Sequence, residues 1–300
     1  MLAGTMSDCT NRFIHFPLAP EDIGYTDIGL SEQFFTATRP EIELLDERMF
    51  KYHVDFSKLQ VTEKTAAMCV SRPTNPTGNV LTDDEVEHLD EIAQAADIPL
   101  IIDGAYGLPF PGILFNEAKP HWNQNTVLVL SLSKLGLPGV RTGIVVARED
   151  VIQAFSNANT VVSLACGNFG PTIARELFRT GEILSLSRKL IKPFYQQRAT
   201  QAVKWFKESF GDVPYRIHKP EGAIFLWLWF DGLPISSQEL YERLKRRGVL
   251  VVPGHNFFPG MDKAWRHQQE CIRVSYAQDG GTVRKGIALI AEEVAKAYKQ

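Results

Sequence analysis

Six polar residues stand just beyond short apolar runs in the first half of the chain. They are Asn75 in SRPTNPTGN, Asp103 and Tyr106 in IIDGAY, Ser131 and Lys134 in SLSK, and Arg141 in PGVRTG. A lysine beside apolar strands loses proton affinity by desolvation and becomes a nucleophile toward a carbonyl. An aspartate behind a pyridine ring would keep the ring nitrogen protonated. A tyrosine hydroxyl and an asparagine amide would hydrogen-bond a phenolic oxygen on that ring. A serine and an arginine suit a phosphate, the arginine through its bidentate fork. Lysine, aspartate and phosphate-binding groups together meet the requirements of pyridoxal phosphate. Each residue also has a plainer reading. Asp103 suits a helix cap or loop, NPTG a simple turn, Lys134 a solvated surface, and Arg141 a surface ion pair. Their order, spacing and common location favour the joint reading.

Such residues must be positioned by a scaffold. The runs TAAMCVS (65–71), IPLII (98–102), VLVLSLS (127–133) and GIVVA (143–147) lack polar alternation, as expected of strands buried on both faces. Between the first two, Thr82 and Glu85 form the capping-box pattern ahead of Val86, Leu89, Ile92, Ala93 and Ala96 at helical spacing. Strands alternating with helices predict an α/β fold built on a mostly parallel sheet. Roughly thirty residues, one strand–helix–strand unit, separate Asn75 from Asp103 and Asp103 from Lys134. All would then border one crevice at the C-terminal sheet edge, where open α/β sheets bind ligands.

The second half differs. A long helical pattern covers residues 183–210, with Pro193 as a start or kink. IFLWLWF (224–230), VLVVPG (249–254) and CIRVSYA (271–277) read as strands. Ser236 and Glu239 repeat the capping-box pattern, and Gly248 suits a helix stop. Val283, Ile287, Ile290, Val294 and Tyr298 stripe a terminal helix. These features predict a large first domain over 1–180 and a smaller α+β domain over 181–300.

Composition bounds the function. With 300 residues, 32 Lys+Arg against 35 Asp+Glu and a net charge of −3, no strongly basic nucleic-acid surface is expected. No apolar run approaches the ~18–20 residues of a membrane span. The start, MLAGTMSDCTNRF, lacks a basic stretch followed by an apolar one, so no signal peptide is expected. Cys9, Cys69, Cys166 and Cys271 form no CxxC pair, and no histidine pair has metal-ligand spacing. A reduced, cytoplasmic setting without a metal fits best. His255 is the one histidine with a possible place beside a pocket, although a loop histidine is the simpler reading. Phe225, Trp227 and Trp229 alternate on one face and suit packing, not base stacking.

Taken in order, NPTG, DxAY, SxSK and RxG resemble the class I and II, fold-type-I, pyridoxal-phosphate aminotransferases. FPLAPEDIGY, KPEGAIFLWLWF and RGVLVVPGHNFFPG add to the likeness, which covers nearly the whole chain. The resemblance implies a Schiff-base lysine at Lys134 that also moves the substrate proton. It implies Asp103 at the ring nitrogen, Tyr106 and Asn75 at the phenolic oxygen, and Ser131 and Arg141 at the phosphate. Arg273, in CIRVSYA, would fork onto the substrate α-carboxylate, with Asn75 assisting. The implied reaction moves an amino group between an aliphatic amino acid and a 2-oxo acid, valine and pyruvate being the expected pair. A homodimer is implied for the family.

Two departures follow from the same likeness. Family chains are longer at the N-terminus, where they carry a further strand, a phosphate loop and a tyrosine that crosses the dimer. The large domain is therefore expected to be incomplete here. Asp22 in PEDIGY stands where the family stacks an aromatic on the ring, and Tyr25 follows three residues later. A non-catalytic remnant or interaction module, and an aminotransferase of other specificity, are the alternatives.

Overall fold

The computed structural model of the chain describes residues 12–24, 34–261 and 265–300. Cys9 and Tyr25 lie outside the described residues. Strands β1 (Phe13–Phe16) and β2 (Phe35–Ala37) precede the pair β3 (Glu41–Leu44) and β4 (Met49–His53). Next come β5 (Thr65–Ser71), helix α1 (Asp83–Ala95), β6 (Leu100–Asp103), β7 (Thr126–Ser131) and β8 (Gly143–Val146). Helices α2 (Glu149–Ser163), α3 (Phe169–Thr180), α4 (Glu182–Leu186) and α5 (Lys192–Phe210) follow. The remainder is β9 (Arg216–His218), β10 (Phe225–Trp229), α6 (Ser237–Arg246), β11 (Val252–Pro253), β12 (Cys271–Ser275) and α7 (Gly280–Tyr298).

The strands form two six-stranded sheets, in the orders β2-β1-β5-β6-β7-β8 and β11-β12-β10-β9-β4-β3. The first is parallel from β2 to β7, so its strands end along one edge. β5, β6 and β7 are largely buried, as their unbroken apolar runs require. β8 departs from the expectation. It runs antiparallel to β7, and its ends, Gly143 and Val146, are exposed. A return through the short segment 132–142 cannot make a parallel crossover, which needs a dozen or more residues.

α1 begins with a complete capping box. Thr82 Oγ1 accepts from the Glu85 amide at 3.1 Å, and Glu85 Oε2 accepts from the Thr82 amide at 2.7 Å. The second box is half formed. Ser236 Oγ accepts from the Glu239 amide, but the Glu239 carboxylate is taken by Arg243 one turn on. Gly248 ends α6 at φ +77°, with Val249 N donating to Leu244 O at 3.0 Å. The long helical pattern breaks as expected near Pro193: α4 leads through a wide turn at 187–191 into α5.

The second sheet draws β3 and β4 from the first 180 residues, with β4 parallel to β9. Its Leu226, Leu228 and Ile272 pack against Phe206 of α5, Leu240 of α6 and Ile287 and Val294 of α7. A second core joins the sheets: Met68, Val70 and Leu100 of the first share one cluster with Phe50, Tyr52 and Trp227 of the second. The alternating aromatics thus serve as packing. Trp227 is fully buried and donates to Tyr52 Oη at 3.0 Å, while Trp229 donates to Glu270.

Candidate active site at the strand ends

Asp103 is the last residue of β6 and Ser131 the last of β7. Asn75 lies in the loop after β5, and Lys134 in the short turn after β7. A cavity of about 560 Å³ opens at this edge, and Asn75, Asp103, Tyr106 and Lys134 line it together with Glu21 and Asp22. Ile14, Phe16, Ile101 and Val129 form its apolar wall. Four of the sequence-selected residues thus share one concave space.

Local packing fixes each of them. Gly78 of the NPTG turn has φ +71°, and a Cβ there would stand 2.6 Å from Gly222 O. Only glycine meets both demands, so the NPTG and PEGA segments close on one another. Lys51 stitches the same junction, donating to Asn79 Oδ1 at 3.0 Å, to Val80 O at 3.1 Å, and to Glu221. Asp103 Oδ1 accepts from the Ala105 amide at 2.8 Å. Tyr106 is buried edge-on against Phe225, and Lys134 Nζ lies 5.4 Å from the Tyr106 ring centre.

Arg273 enters from the other sheet. Its guanidinium lies over Phe225 and Phe257, and Nη1 donates to Asn75 Oδ1 at 2.5 Å. Ser131 and Arg141 do not line the cavity. Ser131 Oγ accepts from the Ser133 amide at 3.1 Å. Arg141 is exposed in a left-handed conformation, at φ +46°, with its Nη1 3.5 Å from Pro138 O. Its charge still reaches Lys134.

The electrostatics suit proton transfer. Burial, then the Arg141 and Arg273 charges, push the Lys134 amine below its ordinary value. Burial raises Asp103, against the Ala105 amide and reinforced by the Asp22 charge. Burial also raises Tyr106, with Arg273 opposing and Asp22 and Asp103 adding. A buried acid raised this way is relieved by a cation, so Asp103 fits a protonated ring nitrogen. The cavity volume, the amine, the acid and the phenol all fit pyridoxal phosphate.

Two further carboxyls, Glu21 and Asp22, line the cavity. Glu21 accepts from Ser71 Oγ at 2.7 Å and from the Ser71 amide at 2.9 Å, and burial lifts its carboxyl to about 8. The sequence offers no periodic or motif signal for it. Asp22 does not merely face the cavity: its carboxylate accepts from the Asn75 amide and, at 2.9 Å, from Gly24 N. His255 stays outside the cavity lining and pairs with Ser237 Oγ at 3.2 Å, as a loop histidine would. Among the described residues no cluster of His, Cys, Asp and Glu has metal-holding geometry.

Comparisons with known proteins bear on the family. The family described as aminotransferase class I and II matches residues 37–290. The valine–pyruvate aminotransferase of Escherichia coli is 52% identical over 300 residues, all of this chain and 72% of that protein. The crystal structure of valine–pyruvate aminotransferase from Salmonella typhimurium superposes with a TM-score of 0.91 at 51% identity, over 96% of this chain and 73% of that one. A putative amino-acid aminotransferase from Psychrobacter arcticum gives 0.92 at 52% identity, over 96% of this chain and 68% of its own. The chain belongs to the class I and II aminotransferases, a pyridoxal-phosphate-dependent family.

Proposed function

We propose that this chain transfers the amino group of valine to pyruvate, giving 3-methyl-2-oxobutanoate and alanine. The carrying observation is that Lys134, Asp103, Tyr106 and Asn75 line one cavity and that Arg273 reaches Asn75 from the second sheet. The 52% identity to the E. coli enzyme supports the choice of substrates.

When bound, pyridoxal phosphate supplies an aldehyde for covalent attachment and a ring that accepts the electron pair left by the departing α-proton. Lys134 Nζ would be the attachment point and, once free, the base that takes and gives back the proton of the substrate α-carbon. Its lowered proton affinity keeps a share of it neutral for both tasks. Asp103 would hold a proton on the ring nitrogen, and Tyr106 would donate to the ring oxygen. Arg273, steadied by Asn75, orients the α-carboxylate. Ser131 and Arg141 would hold the phosphate.

The wider setting is also part of the proposal. Residues 1–180 act as the large domain and 181–300 as the small one, with β3 and β4 extending the latter's sheet. A homodimer is supported by exposed apolar side chains, Val161 at 85% and Phe169 at 72%. A cytoplasmic location is supported by the free thiols of Cys69, Cys166 and Cys271. No described helix is long and apolar enough to cross a membrane.

The test is the absorbance of the purified chain with pyridoxal phosphate, before and after borohydride, beside Lys134→Ala. A visible band that reduction traps, absent from the variant, is the expected result, followed by turnover of valine with pyruvate. The spectrum of free cofactor in both proteins would refute the reading and favour a non-catalytic relative.

A further inference from the structure

The chain places a carboxylate of its own beside the groups expected to hold its substrate's carboxylate. Asp22 lines the same cavity as Lys134. Its carboxylate is fixed at both oxygens, one accepting from the Gly24 amide at 2.9 Å and the other from the Asn75 side-chain amide. That second bond sets the direction of the Asn75 amide, leaving Asn75 Oδ1 toward Arg273 Nη1 at 2.5 Å. Gly24 holds the turn at φ +87°, a conformation that suits glycine.

Among the described residues that line the cavity are three carboxyls, Glu21, Asp22 and Asp103, and one amine, Lys134. Glu21 is buried in hydrogen bonds to Ser71. Asp103 is committed to the ring nitrogen and Lys134 to the reacting carbon. The lining charge with no other task is that of Asp22, one bond away from the Asn75 amide that Arg273 also uses.

We propose that Asp22 is a specificity-determining residue that restricts this site to amino and oxo acids bearing a single carboxylate. The proposal rests on the aminotransferase reading and narrows its substrate class. An α-carboxylate still has Arg273, whose guanidinium carries five donors. A second carboxylate in the same cavity meets a fixed negative charge with no further lining cation to offset it. At an effective dielectric constant near 20 and a separation of roughly 6–12 Å, that repulsion amounts to roughly tenfold to hundredfold in affinity. An uncharged or aliphatic side chain meets no such penalty.

The experiment is calorimetric titration of the full chain, with and without pyridoxal phosphate, using 3-methylbutanoate and succinate as unreactive probes. The original chain is expected to bind 3-methylbutanoate at least tenfold more tightly. Asp22→Asn, which keeps the shape and one acceptor oxygen for Asn75 while giving up the bond from Gly24, should shrink that ratio about tenfold. Asp22→Glu, which keeps the charge, should preserve it. An unchanged ratio in Asp22→Asn, or binding of neither probe by the original chain, overturns the proposal. Failure of the aminotransferase reading shows separately, as a missing Lys134-dependent visible band with the Asp22-dependent ratio intact.

Discussion

Arg273 and Asn75 are 198 residues apart in the chain, yet Arg273 Nη1 donates to Asn75 Oδ1 at 2.5 Å. This bond joins a middle strand of the second sheet to the strand-end crevice of the first. The guanidinium is also held over Phe225, its centre 4.3 Å from that ring. A planar fork stacked on an aromatic is a task lysine performs poorly.

Arg273→Lys should therefore weaken 3-methylbutanoate binding by roughly tenfold to hundredfold. The visible band of the cofactor on Lys134 should remain, since the arginine acts on the carboxylate. Titration calorimetry beside an absorbance spectrum separates the two effects. Equal loss of both would place Arg273 in general structural support instead.

Lys134 is half-buried and its proton affinity is lowered, first by burial and then by Arg141 and Arg273. The neutral amine is the reactive form. Labelling of Lys134 by an aldehyde and borohydride should reach half its maximum at a lower pH than labelling of an added lysine-containing peptide. Peptide mass spectrometry across a pH series reads both sites in one sample.

Stability should peak in the mildly acidic to neutral range. Burial lowers His15 to about 4 and His218 and His267 to about 3, against 6.5 in the unfolded chain. Below 6.5 the unfolded state takes up protons that the native state refuses, so stability falls as pH falls, by up to roughly 4 kcal/mol per pH unit for the three together. Glu21 has the opposite sign. Its folded value of about 8, against 4.5 unfolded, means the native state holds a proton that the unfolded state has released. That contribution is present below 4.5 and is lost as pH rises toward 8, at roughly 1.4 kcal/mol per unit. Urea unfolding between pH 4 and 9 should show a steep acidic limb and a shallow alkaline one. Loss of the alkaline limb in Glu21→Gln would assign it.

The buried Lys51–Glu221 pair holds the NPTG segment against the second sheet, with Lys51 and Glu221 only 5% and 3% exposed. Lys51→Met removes the cation and three hydrogen bonds while leaving Glu221 buried. Such a half-broken pair costs about 3–5 kcal/mol, and Lys219 at 3.1 Å and the Val80 amide, which still reach Glu221, set the lower end of that range. Denaturant unfolding should show a loss of that size, and Lys51→Met with Glu221→Gln should recover part of it. The single variant should also weaken carboxylate binding, because Asn75 rides on the loop that Lys51 anchors.

Much of this protein is legible from local chemistry. The unbroken apolar runs at 65–71 and 127–133 announce buried parallel strands, because only strands covered on both faces can lack polar positions. The Thr82–Glu85 box and Gly248 mark helix ends, because orphan amides and a left-handed stop require those residue types. The order of Asn75, Asp103 and Lys134 fixes their arrival at one sheet edge, because each closes a strand of the same direction. β8 was not legible. Its apolar composition matches a parallel core strand, and only its short connection and antiparallel pairing leave its ends exposed.

What the sequence determined by itself is the set of reactive groups and the edge where they gather, since side-chain chemistry and strand periodicity are local properties. The tertiary structure decided what those groups face. It brought Arg273 onto Asn75, folded β3 and β4 of the N-terminal half into the second sheet, and set Asp22 against the amide that Arg273 also uses. Those contacts join residues far apart in the chain. No spacing rule reports them, because they follow from how two sheets pack and not from what either strand prefers alone.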